Sequence, residues 1–121
     1  MNSIELCRII NWLEQMNIKN FTINNNGTVD VNEDVFLNNK NLTTIPIQFG
    51  VINGSFNCCE NQLTSLKGSP IVVNGNFQCQ YNQLTTLKYS PIVVKSFFYC
   101  HNNNLISLRG APKEVADFLC I

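Results

Sequence analysis

Six cysteines and one histidine are the side chains of this 121-residue sequence best suited to nucleophilic or metal chemistry. Cys58, Cys79 and Cys100 recur at an interval of 21 residues. Thiolates suit zinc, which gathers four ligands into a tetrahedron. Residues repeated on successive parallel strands form a line instead, so this column reads as packed core thiols and no metal is expected. Cys59 alternates to the opposite face and, like Cys120, is expected to be accessible. Neither has a His, Lys or Arg beside it in sequence to lower its pKa, so whether either reacts stays open. A Cys–His nucleophile needs its two members within hydrogen-bond reach. His101 falls two strands from Cys59, about 10 Å at the usual strand spacing. The sequence has no glycine-rich phosphate loop, no His–Glu metal motif and no repeated carboxylate pair. We therefore expect no catalysis and no cofactor.

Lys67, Lys88 and Arg109 form a second column, of cations, at the same interval. Residues 1–60 hold three Lys+Arg against six Asp+Glu, a net of −3, and residues 61–121 hold five against two, a net of +3. The column could meet phosphate or an acidic protein patch, or be a solvated edge. The net charge of zero argues against a general polyanion binder. The 20 Asn residues, beside only 13% charged residues, imply a surface of amides and turns. No apolar run approaches the roughly 20 residues of a membrane span. Residues 1–16 lack the basic start and apolar centre of a signal peptide, so a cytoplasmic, reducing setting is expected, where disulfides are rare.

What positions these columns is a tandem repeat. Segments starting at Phe56, Phe77 and Phe98 align over Cys58, Cys79 and Cys100, then Asn61, Asn82 and Asn103. They align again over the pairs Leu63/Leu66, Leu84/Leu87 and Leu105/Leu108, then Pro70, Pro91 and Pro112, then Val73, Val94 and Val115. A weaker copy begins at Val35, with Lys40 at the Asn position. One step forward, Leu119 and Ile121 fall in register with Phe98 and Cys100. Phe-x-Cys is a period-2 alternation, so Phe and Cys face inward on a strand. Leu-x-x-Leu breaks that alternation and turns the chain, and the Pro marks a return segment. One coil cannot cover its own apolar face; stacked coils, with strands about 4.8 Å apart, bury it in columns. The Asn is expected to satisfy turn backbone groups of its own and the adjacent coil.

The pattern Phe56-x-Cys58-x-x-Asn61-x-Leu63 and its copies resemble the leucine-rich repeat family, at the short end of its repeat lengths. The phrase FNCCENQLTSLKGSP is similar to small leucine-rich proteins encoded by bacteriophages. The resemblance covers about residues 35–121 and implies a curved parallel sheet whose concave side binds a partner. Lys40 and the cysteines at the second strand position depart from the family pattern.

Residues 1–34 read as a cap. Asn2 and Glu5 have capping-box spacing, and Leu6, Ile9, Ile10, Leu13 and Met16 give a helical apolar face. Phe21 and Ile23, a turn at Asn26-Gly27, then Val29 and Val31 signal a hairpin. Residues 112–121 fit either a capping helix or a final strand at 118–121 that leaves an edge for pairing. The expected fold is thus α+β: a short leucine-rich-repeat solenoid of about four repeats over 35–121, capped by 1–34, as one folding unit.

On that register the outward strand positions are Ser55, Asn57 and Cys59, then Asn76, Gln78 and Gln80, then Phe97, Tyr99 and His101, with Tyr81 at the lip. Their aromatic area and amides suit a protein-binding face; the alternative is that the C-terminal segment, through Phe118, covers Phe97. The expected function is non-catalytic protein recognition, with a host or self partner. The phage resemblance implies an inhibitor of a host defence protein, acting in the host cytoplasm. Alternatives are a self-assembling or virion component, with a homodimer through the C-terminal edge strand, and weak nucleic-acid binding through Lys67, Lys88 and Arg109.

Overall fold

The computed structural model describes residues 1–120. Helix α1 (Ser3–Gln15) starts at Asn2, whose side chain accepts the Glu5 N–H at 2.8 Å. It stops at Asn17, which adopts φ 58°. There the Asn17 N–H bonds Glu14 O at 3.0 Å and the Ile18 N–H bonds Leu13 O at 2.9 Å, a Schellman ending with Leu13 and Ile18 both buried. A hairpin follows, β1 (Phe21–Ile23) against β2 (Val29–Val31), turning through Asn26 and Gly27. Ile9 and Leu13 of the helix are buried, and the Trp12 ring meets Phe49 edge-on at 6.1 Å.

The rest is a β-solenoid of about four turns. Each coil has two short strands meeting at a bend, then an irregular third side. The first strands form one parallel ladder: β2, β4 (Phe49–Ile52), β6 (Val72–Val73), the start of β8 (Val93–Tyr99) and the start of β9 (Glu114–Leu119). The second strands form another: β3 (Val35–Phe36), β5 (Phe56–Asn57), β7 (Phe77–Gln78) and the far halves of β8 and β9. The first ladder is a finding beyond the sequence reading, which treated these segments only as returns. Its signal was the β-branched run after each Pro, Ile71-Val72-Val73 and Ile92-Val93-Val94. β2 belongs both to the cap hairpin and to the first coil, so cap and repeats share one sheet.

Inside, residues one coil apart stack in columns. Phe56 and Phe77 are stacked at 5.7 Å, Phe77 and Phe98 at 5.2 Å, and Phe98 and Phe118 at 4.8 Å between ring centroids. Leu63, Leu66, Leu84, Leu87, Val73 and Val94 are fully or almost fully buried. Each such side chain contributes roughly 1.5–3 kcal/mol on burial. The third side returns through a left-handed residue at Gly68 (φ +97°), Tyr89 (φ 71°) and Gly110 (φ +88°). At Gly68 a Cβ would lie 2.5 Å from Ile47 O, so glycine is required there for close approach as well as for φ.

The C-terminal segment is a strand, β9, rather than a capping helix, and its register differs from the sequence expectation. Val94 pairs with Val115, 21 residues on, but Phe98 pairs with Phe118, 20 residues on. The bend of the last coil is one residue shorter. Phe118 therefore continues the aromatic stack and Cys120 the cysteine column, while Leu119 turns outward; Ile121 lies outside the described residues. The shorter bend exchanges an inward Leu119 for a larger aromatic ring.

Candidate functional site

The outward side of the second ladder carries the predicted face. Asn57, Gln78 and Tyr99 lie in one row across neighbouring strands, followed by Leu119 and preceded by exposed Phe36. The inward partners Phe56, Cys58, Phe77, Cys79, Phe98 and Cys100 are all buried, so the alternation places the row as expected. The aromatic members gather at the C-terminal end. Phe97 and Tyr99 stack at 6.0 Å, Tyr99 meets His101 edge-on at 6.4 Å, and His101 meets Tyr81 edge-on at 5.5 Å. Tyr81 reaches the lip because its backbone is left-handed, φ 57°, like Asn39, Glu60 and Asn102 at the same point of their coils. Phe97 is 42% exposed. Phe118 stacks under Phe98 instead of covering Phe97, so the alternative reading of Phe97 is corrected.

The middle of the face is amide. Gln80 Nε2 donates to Gln78 Oε1 at 2.9 Å, and Asn57 Oδ1 accepts the Cys59 N–H at 3.0 Å. Gln80 Oε1 and His101 Nδ1, one coil apart, are enclosed without a hydrogen-bond partner among the described residues. Two further outward residues are structural. Ser55 Oγ accepts the Asn76 N–H at 3.0 Å, and Asn76 Oδ1 accepts the Phe97 N–H at 3.0 Å, each tying one bend to the next coil.

The cysteines require two corrections. Cys59 is only 6% exposed: β5 ends at Asn57 and the chain turns at Glu60, so residue 59 sits in a corner rather than on a flat strand. Burial, then the adjacent Glu60 carboxylate, raises its pKa, which makes it a poor nucleophile. Cys100 is not a free core thiol: it pairs with Cys120 as a disulfide across β8 and β9, their Cα atoms 4.5 Å apart. That separation lies within the usual range for the bond. The 20-residue register of the last coil is what brings these two together. Cys58 and Cys79 are buried thiols, both with pKa values raised chiefly by burial. Cys79 Sγ donates to Tyr99 O at 3.3 Å. Among the described residues no three His, Cys, Asp or Glu side chains are grouped to hold a metal ion.

Lys67, Lys88 and Arg109 are exposed at the end of the third side. Each has its N–H on the hydroxyl two residues earlier: Ser65 at 3.1 Å, Thr86 at 3.2 Å and Ser107 at 3.4 Å. Lys88 Nζ lies 5.1 Å from the Tyr89 ring centre. The sequence reading missed a cavity of about 430 Å³ between α1 and the third side of the first coils, lined by Arg8, Ile9, Thr43, Pro46 and Lys67 among others. Arg8 Nη1 donates to Pro46 O at 3.0 Å across it. The docking of α1 and of the Asn26–Thr28 turn against the coils creates this hollow, so no local pattern announces it.

No protein-family model, curated protein or solved structure matches this chain. No described helix is long and apolar enough to cross a membrane.

Proposed function

We propose that this chain is a non-catalytic protein-recognition module of leucine-rich-repeat type. It engages a protein partner through the outward face of β5, β7 and the far half of β8. The observation that carries this reading is the contiguous cluster of Tyr81, Phe97, Tyr99 and His101 beside the amides of Asn57, Gln78 and Gln80. Aromatic side chains on a rigid support give large contact area at small entropy cost and dominate interface energetics. The leucine-rich-repeat assignment draws support from the ladder of Asn61, Asn82 and Asn103, whose amides bond turn backbone of two coils at once. The sequence resemblance to phage proteins favours a bacterial host protein, such as a defence factor, as the partner inhibited.

The test is capture of a partner from a bacterial host lysate by the full chain, then by Tyr99→Ala and Gln78→Ala. Loss of an anchor at the centre of an interface typically weakens binding by about 2 kcal/mol, roughly 30-fold. Equal capture of one identified protein by the parent and both variants overturns the choice of face.

A further inference from the structure

The two ends of the solenoid are finished differently. At the start, α1 and the β1–β2 hairpin lie over the first coil, and Leu13, Val29 and Val31 are buried there. At the far end no described residue lies over the last coil. Leu66 and Leu87 are fully buried because a further coil covers each; their counterpart Leu108 is 52% exposed. Leu105, Leu108, Asn103 and Cys120 help line a hollow of about 280 Å³ in that end. The ladder amide that takes the Leu63 N–H comes from Asn82, and the one that takes the Leu84 N–H comes from Asn103. Among the described residues β9 pairs only with β8, so its other edge presents free main-chain groups.

We infer that a second copy of this chain covers this end, in a two-fold dimer whose β9 edges pair antiparallel. Chemistry favours that occupant: every earlier coil is covered by another coil of this chain, and a second copy presents the same apolar layer. Shape favours it too. β9 bends between Val115 and Asp117 into arms of nearly equal length, one on each ladder. A two-fold axis bisecting that bend lays each arm on the other arm of the partner. Full-length pairing of Glu114–Leu119 then sets Val115 of each copy opposite Phe118 of the other, and brings the Leu105 and Leu108 layers together. Charge permits it, because the last coil carries Arg109 and Lys113 against Glu114 and Asp117, and two like ends do not repel. The N-terminal end does not substitute, being covered by α1, so the assembly closes at two instead of growing head to tail.

Sedimentation velocity of the full chain, from about 1 to 200 µM, tests this. The expected result is a reversible monomer–dimer equilibrium that stops at twice 13.7 kDa. Leu108→Asp should weaken the dimer at least 30-fold. Ile4→Asp, which places the same charge on α1 at the opposite end, where Ile4 is 84% exposed, should leave it unchanged. Hydrogen exchange on the parent chain gives a reading free of any variant's folding: the β9 amides should gain protection as concentration rises. A monomer at every concentration overturns the proposal, whatever other protein binds the end. Growth beyond two copies, or a Leu108→Asp chain that dimerises as the parent does, overturns it as well.

Discussion

Replacing the three ladder asparagines by alanine should give three different stability losses, and their order follows from which backbone groups each leaves alone. Asn61 Oδ1 accepts the Lys40 N–H at 3.0 Å and the Leu42 N–H at 2.9 Å, and its Nδ2 donates to Leu37 O at 2.8 Å. Asn82 Oδ1 accepts the buried Leu63 N–H at 3.0 Å. Its Nδ2 donates to Cys58 O and Cys79 O, but those carbonyls keep a second amide, from Asn61 and Asn103. Asn82→Ala therefore orphans chiefly one N–H. Asn103 takes the Leu84 N–H at 3.0 Å at a partly exposed site where water can replace it. With roughly 1–3 kcal/mol for each buried group left unpaired and less where water reaches, we expect losses of about 3–4 kcal/mol for Asn61→Ala, about 2 for Asn82→Ala and about 1 for Asn103→Ala. Urea unfolding followed by circular dichroism measures them, with comparable slopes required for the comparison. Equal losses, or Asn103→Ala as the worst of the three, would refute the sharing of carbonyls along the ladder.

Two predictions concern special side chains. In the folded chain a thiol reagent should modify exposed Cys7 promptly, and Cys58, Cys59 and Cys79 only on unfolding. Because burial raises the Cys58 and Cys79 pKa values, their stabilising contribution is complete below the unfolded thiol pKa of about 8.5 and is lost as pH rises above it. Stability should then fall by about 1.4 kcal/mol per pH unit for each of these thiols. Guanidinium unfolding at pH 7.5 and pH 10 reads this, Cys79→Ala should reduce the decline, and a flat profile contradicts it. Tyr89→Gly should stabilise the chain by about 0.5–1 kcal/mol, since Tyr89 holds φ 71° where its repeat counterparts are glycine. A thermal midpoint unchanged or lowered in that variant counts against strain at Tyr89.

Spacing alone made the stacked coils and the columns of Phe, Cys, Leu and Asn legible, because a residue repeated at a fixed interval has to meet its own copy. The helix and hairpin of the cap were equally plain, from Asn2 and Glu5 at one end and Asn26-Gly27 at the other. The last coil was misjudged by one residue. Extending the period through Ala116 put Leu119 inward, and only packing shows that a shorter bend, with Phe118 under Phe98 and Cys120 beside Cys100, fills the core better. Cys59 was misread for a related reason: alternation holds along a strand, and β5 ends before residue 59. The exposure of Val51, Ile71 and Ile92 along the first ladder was not legible either, because a β-branched run shows that a strand is present but not how far its sides are covered.

The direction of the ladder amides bears on how such a gene can change. Each Asn reaches back to the coil before it, so no coil depends on a long-range partner elsewhere. Excision of residues 77–97 would join Asn76 to Phe98, and their duplication in frame would join Phe97 to a second copy of Phe77; either change leaves every ladder amide facing the carbonyl and N–H it needs. Slippage or recombination between neighbouring repeats thus alters length in whole steps of one turn, lengthening or shortening the lateral wall while the helical cap stays as it is.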